Sequence, residues 1–303
     1  MKLPNTLQLG CNYKALEANW AADATYFKSI GLTNIRPHLN SIPDNFTPPG
    51  SLSVTGYEYW RRCATFFARQ GFWVSWGPSS PSGQSGLNLT EDTWQAFRLN
   101  VLADATYMQA QGIALGCYEL GNEQEAHVDG VTLTQAQFIA HTATLATEVK
   151  AIYTLSPIGY SMYDTGGTTH DNWIANGMGG LDFLGLHPYS NIQQGGRGIT
   201  DGGYPAIIKM MKAFGADKLW ISEFGLEASD TNLNLFSRQF QTNSMRYYWN
   251  YMRALGFTRA QIYMFVGWLN GNNAFACRYT DGSYVPYWDV CVRDGGRRAN
   301  ITF

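Results

Sequence analysis

Charge is what this chain has least of. Asp, Glu, Lys and Arg make up 15% of its 303 residues, and the formal net charge at pH 7 is −2. A nucleic acid or an anionic membrane surface needs a basic footprint to hold it, so neither is expected as a partner. No apolar run approaches the about 18 residues of a membrane-spanning helix. The N-terminus, Met1-Lys-Leu-Pro-Asn5, carries no apolar signal core. Either the usual export signal is not used, or a leader has been removed and the protein works outside the cell; the compartment stays open.

Metal and cofactor signatures are missing too. There is no CxxC pair, no Cys/His spacing of a metal site, and no GxGxxG after the first expected strand, so no metal and no cofactor is expected. The five cysteines cannot all pair. Cys11 and Cys117 fall within expected strands and Cys63 on the apolar face of an expected helix, which makes them buried thiols. Cys277 and Cys291 flank a loop near the C-terminus and could bridge in an oxidising compartment. Between residues 10 and 290 there is no Pro/Ser linker, charge block or low-complexity tract. A single domain over residues 1–303, acting as a monomer, is therefore expected.

Hydrophobic residues are plentiful at 45%, enough for a sizeable core. Aromatics reach 15%, with 10 Trp and 18 Tyr beside 16 Phe. Each one is first a candidate core residue. The surplus of Trp and Tyr also suits a cleft for flat, hydroxylated ligands, because a sugar offers C–H groups on its faces and hydroxyls at its edge.

One phrase recurs along the chain: a helical stretch, a glycine, then a short β-branched or aromatic run. The glycines are Gly31, Gly71, Gly112, Gly180, Gly215 and Gly256. Glycine in that position supplies the left-handed cap that ends a helix. Trp60, Cys63, Ala64, Phe67 and Ala68 share one helical face. So do Trp94, Phe97, Val101 and Met108, and likewise Phe138, Thr142, Leu145, Val149 and Ile152. Thr90 before Glu91 and Asp92 reads as a capped helix start. Strands are expected near 7–13, 33–39, 72–78, 113–121, 157–162, 182–188, 219–224 and 261–268. Eight alternating β and α units imply a parallel sheet closed into a (β/α)8 TIM barrel, an α/β fold; a doubly wound open sheet is the alternative.

In such a barrel the site forms at the C-terminal ends of the strands. The residues there are Asn12 and Tyr13, Arg36 and His38, Trp76, Asn122 and Glu123, Tyr160 and Met162, His187 and Tyr189, Glu223, and Trp268. Nearly every strand ends in a polar or aromatic side chain. Two of the endings are glutamates, Glu123 after Cys117-Tyr-Glu-Leu-Gly-Asn122 and Glu223 after Leu219-Trp-Ile-Ser222. A carboxylate is costly to place where a buried strand stops, and such placements usually serve chemistry.

Here the chain resembles the clan A glycoside hydrolases, the retaining (β/α)8-barrel glycosidases. The resemblance rests on Asn122-Glu123 ending strand 4, Glu223 ending strand 7, Arg36 near the end of strand 2, His187 and Tyr189 after strand 6, and Trp268 ending strand 8. Gln124 stands where many members have proline, and strand 3 ends in Trp-Gly where some carry histidine, so the clan is indicated rather than a family within it. The resemblance implies Glu123 as acid/base and Glu223 as nucleophile. It implies that Asn122 binds the 2-hydroxyl of the reacting sugar and that Trp268 forms the floor beneath it. Arg36 and Tyr189 would attend Glu223, with His187, Trp76 and Asn12 also facing the substrate.

Retention of configuration needs one carboxylic acid and one carboxylate about 5–5.5 Å apart, in environments that keep their protonation states different. Tyr13, Trp76, Tyr160, Trp268 and Tyr279 as cleft aromatics would give several sugar subsites, suiting cleavage within a β-linked glycan. The glycine-rich segment 190–203 could instead wall off the cleft. Glu119 is expected to have an internal partner, Glu125 to be a loop residue, and Glu227 to face solvent or the cleft rim. The competing readings are an inactive barrel that only binds carbohydrate and a barrel enzyme of unrelated chemistry.

Overall fold

The computed structural model describes residues 7–13, 15–37, 56–78, 88–163, 168–188, 203–225 and 235–263, together with Tyr284, Trp288 and Val292. Eight parallel strands in the order β1 to β8 form a closed barrel, with a helix between each strand and the next. The strands are β1 (Gln8–Tyr13), β2 (Asn34–Pro37), β3 (Trp73–Trp76), β4 (Cys117–Asn122), β5 (Ile158–Met162), β6 (Phe183–Leu186), β7 (Leu219–Phe224) and β8 (Arg259–Ile262). The helices are α1 (Trp20–Ser29), α2 (Gly56–Arg69), α3 (Glu91–Ala110), α4 (Gln135–Ile152), α5 (Thr168–Asn176), α6 (Gly203–Phe214) and α7 (Leu235–Ala254).

The described residues fall into two compact units, one drawn from 1–36 and 187–303 and the other from 37–186. In the first, β1 pairs with β8 from Gln8 opposite Arg259 to Cys11 opposite Ile262, and β8 pairs in turn with β7. All six residues of β7 are buried, as a strand covered on both faces should be. Tyr13 and Phe27 meet edge to face at 5.8 Å, and the Tyr13 hydroxyl donates to Asp23 at 2.6 Å. Tyr13 is therefore a core residue rather than a cleft aromatic.

In the second unit, β4 lies between β3 and β5, and β5 pairs with β6. Helix α3 starts where the sequence places it: Thr90 accepts from the Thr93 amide, and the Thr93 hydroxyl accepts from the Thr90 amide. Thr134 and Gln137 close the same capping box on α4. The two helices pack through Trp94 against Phe138 at 5.3 Å, and the Arg98 and Glu148 side chains pair between them. Trp94, Phe97, Val101, Met108, Phe138, Thr142, Leu145 and Val149 are buried; each large apolar one contributes about 2–3 kcal/mol.

Gly31, Gly71, Gly112, Gly215 and Gly256 all have positive φ, as helix-ending glycines do. Gly180 does not. Gly177 takes that place after α5, with φ 76° and its amide on the Trp173 carbonyl. Cys11, Cys63 and Cys117 are buried and in no disulfide, while Cys277 and Cys291 lie outside the described residues. Among the described residues no helix is long and apolar enough to cross a membrane.

Candidate active site

Each of the two glutamates lies at a one-residue irregularity in its strand, Glu223 within it and Glu123 just after it. In β7, Ile221 faces Ala260 but Phe224 faces Ile262, so three steps on β7 match two on β8 around Ser222 and Glu223. In β4, Glu119 faces Gly159 but Asn122 faces Ser161, again three steps against two. A bulge of this kind bends the strand and re-aims the side chains beside it. Bulges are concentrated next to active sites, and sequence alternation does not reveal them.

Glu223 is buried, with 8% of its surface exposed. Arg36, from β2, is more deeply buried and donates through one Nη1 to Glu223 Oε1 at 2.5 Å and to Asn12 Oδ1 at 3.0 Å. Asn12 Nδ2 in turn donates to the Ser222 carbonyl at 3.0 Å. The chain β1–β2–β7 is thus tied side chain by side chain behind the carboxylate. A guanidinium buried without a partner would cost several kcal/mol, so this arrangement holds Arg36 and Glu223 to each other. His187, fully buried, brings its Nε2 to 3.9 Å from Glu223 Oε1, beyond hydrogen-bond length. Asn12, expected against substrate, is occupied in holding Arg36.

Around Glu123 the backbone carries the geometry. Gly121 has φ 144°, and a Cβ there would come within 2.3 Å of the Gln124 amide oxygen. Glu123 itself has φ 55° and ψ 22°, the one left-handed non-glycine among the described residues. That conformation costs about 1–2 kcal/mol for an L-residue, and strained residues of this kind cluster at functional sites. The bonds that hold it run to β5: the Glu123 amide donates to the Ser161 carbonyl at 2.8 Å, and the Gln124 amide to Tyr160 Oη at 2.9 Å. Asn122 and Glu123 are both half-buried.

Glu125 is the residue sequence reasoning missed. Rather than a loop carboxylate it is 1% exposed, inside the short 3-10 turn Gln124–His127. Its Oε1 accepts from the Tyr163 amide at 2.5 Å and its Oε2 from the Tyr160 hydroxyl. Burial pushes the Glu125 carboxyl up to about 7, against the lowering effect of those bonds and with the Glu123 charge adding to the rise. The one signal available in the sequence was that β4 and β5 are consecutive, hence adjacent, with Tyr160 within β5 and Tyr163 just after it.

Glu119 has internal partners as expected, the hydroxyls of Ser75 and Ser161. Two of the supposed cleft aromatics beside Tyr13 are also buried. Tyr160 packs between Phe138 and Trp173, at 5.7 and 5.4 Å, and Trp76 lies against Tyr57 at 5.6 Å. Neither presents a platform to a sugar. His38, Tyr189, Trp268, Tyr279, Glu227 and all of 190–203 but its last residue lie outside the described residues.

Neither the known protein-family models nor the curated protein sequences yield a match to this chain. Solved structures do. An exo-β-1,4-mannosidase from Opitutaceae bacterium strain TAV5 aligns at 17% identity with a TM-score of 0.68, covering 97% of this chain and 60% of that one. A family 39 glycoside hydrolase from Bacteroides cellulosilyticus WH2 aligns at 16% and 0.67, covering 98% and 64%. The catalytic domain of the major endoglucanase from Xanthomonas campestris pv. campestris aligns at 14% and 0.63, covering 98% and 95%. The chain thus spans less than two thirds of the first two proteins and nearly all of the third. At these identities the likeness is one of fold, and the fold is the (β/α)8 barrel on which these glycoside hydrolases are built.

Proposed function

We propose that the protein is a retaining β-glycoside hydrolase acting on a β-linked poly- or oligosaccharide, with Glu223 as nucleophile and Glu123 as acid/base. The observation that carries the reading is the Glu223 carboxylate, buried at a bulge ending β7 and bonded to a buried arginine. The parallel strand order supports it, because the C-terminal ends of all strands in a closed barrel share one rim. So does the strained turn at Glu123, which repeats the bulge at the end of β4.

In the first step Glu223 attacks the anomeric carbon while Glu123 gives its proton to the departing glycosidic oxygen. The product is a glycosyl ester on Glu223 and a free alcohol. In the second, Glu123, now a carboxylate, takes a proton from water, and that water displaces Glu223 from the anomeric carbon. Arg36 has the part of fixing the nucleophile's direction of attack and balancing its charge, and Asn12 of fixing Arg36. Asn122 would bind the 2-hydroxyl of the reacting sugar, with Tyr189 and Trp268 completing the sugar site and the buried His187 bracing the rim beside Glu223. Fold does not select between cleavage at a chain end and within it, since an exo-mannosidase and an endoglucanase share this barrel. Internal cleavage is the mode proposed, with Trp268 and Tyr279 as its remaining aromatic subsites.

Reducing-sugar release from a panel of β-linked polysaccharides, with Glu223→Ala as control, tests the proposal. Release by wild type alone supports it and names the substrate. Binding without release, by a protein with its fold intact, would favour the carbohydrate-binding reading.

A further inference from the structure

We propose that Glu125 is a positioning residue for Glu123, its buried carboxylate stapling the turn after β4 to the end of β5. The inference rests on the reading of Glu123 as the acid/base. Three residues in a row after β4 are tied to β5: Glu123 through its amide to Ser161, Gln124 through its amide to Tyr160 Oη, and Glu125 through both carboxylate oxygens. Tyr160 Oη is the centre of the staple. It accepts from the Gln124 amide and donates to Glu125, so its hydrogen can serve Glu125 only while the turn keeps its left-handed entry at Glu123. From the other side, the Gln135 side-chain amide at the start of α4 donates to the Glu125 carbonyl. The carboxylate is therefore clamped by β5 and its own turn by α4.

A residue that only filled the core would not need two oxygens aimed at two donors. A glutamine there has one acceptor oxygen and keeps the size, so it satisfies either Tyr160 or the Tyr163 amide and leaves the other donor buried without its acceptor. The charged or titratable groups that face Glu125 are Tyr160 from β5 and Glu123 from its own turn. Glu123 and Glu125 are thus linked in position through β5.

The test uses the 303-residue chain as wild type, Glu125→Gln, Tyr160→Phe and Glu123→Ala. One arm follows hydrogen exchange at the Gln124 and Tyr163 amides by NMR. The other compares dinitrophenyl and phenyl β-glycosides of the sugar released in the polysaccharide panel. We expect Glu125→Gln to speed exchange at both amides at least tenfold and to lower kcat on the phenyl glycoside about 10-fold or more. The dinitrophenyl glycoside, whose leaving group needs little protonation, should be affected far less, and Tyr160→Phe should repeat the pattern. Unchanged exchange at both amides, or equal losses on both substrates, would overturn the positioning role. Failure of the acid/base reading itself looks different: Glu123→Ala would then match wild type on the phenyl glycoside, whatever the Glu125 variants do.

Discussion

At the residue scale, the molecule separates two kinds of glutamate that look alike in sequence. Glu119 and Glu125 are buried and satisfied by hydroxyls and amides, while Glu123 and Glu223 stand at the ends of bulged strands. Glu123→Ala should slow cleavage of a natural glycan by about 10²–10⁴-fold, the usual worth of a general acid. Azide, as a small anionic nucleophile needing no base, should restore turnover of a dinitrophenyl glycoside and yield a glycosyl azide. Glu125 has a separate signature in stability. Its folded value, about 7, is above that of an exposed glutamate, so the folded chain binds the proton more tightly than the unfolded chain does. The contribution is fully present below pH 4.5 and is lost as pH rises through 7. Thermal melts from pH 4 to 8 should show wild type losing stability against Glu125→Gln over that window; parallel curves would contradict the assignment.

At the element scale, strand and helix identity was legible because period and punctuation agree. Thr90 before two acids gives the cap of α3, and the apolar stripes of α3 and α4 give their buried faces. Boundaries were harder where apolar residues are buried without joining the sheet. The run from Ile113 reads as strand, yet β4 begins at Cys117. The Leu115 amide bonds the side chains of Tyr153 and Ser156, and Tyr153 also donates to the Ile113 carbonyl, so side chains satisfy a backbone that the sheet does not. The bulges were illegible for a related reason: one extra residue in a strand buried on both faces leaves no break in an alternation that was never there. The capping boxes permit a direct check. Thr134→Ala removes the acceptor of the Gln137 amide at the start of α4, and should lower stability by about 1 kcal/mol, read as a smaller denaturant midpoint at constant slope.

At the scale of the whole molecule, the count of eight alternating β and α units was enough to read a closed parallel barrel. Of the polar strand endings, Asn12, Arg36 and Glu223 are the ones that meet side chain to side chain. What the sequence misassigned were aromatics: Tyr13 and Trp76 end their strands and Tyr160 lies within β5, and all three are buried. A tyrosine whose hydroxyl finds an internal carboxylate, Asp23 or Glu125, has no reason to face a sugar, and that partner is invisible until strands are neighbours. The low charge has its own consequence. With a net charge of −2 and a neutral substrate, no long-range field steers association, so kcat/KM on a neutral glycan should change less than about 2-fold between 50 and 500 mM salt. A steep salt dependence would point to a charged substrate. The central claim is that Glu223 becomes covalently glycosylated, and mass spectrometry of the protein after exposure to a panel of 2-deoxy-2-fluoro-β-glycosides tests it most directly. The account predicts one glycosyl adduct, on the peptide carrying Glu223 and absent from Glu223→Ala; an adduct on another residue, or turnover with inversion and no adduct, would contradict it.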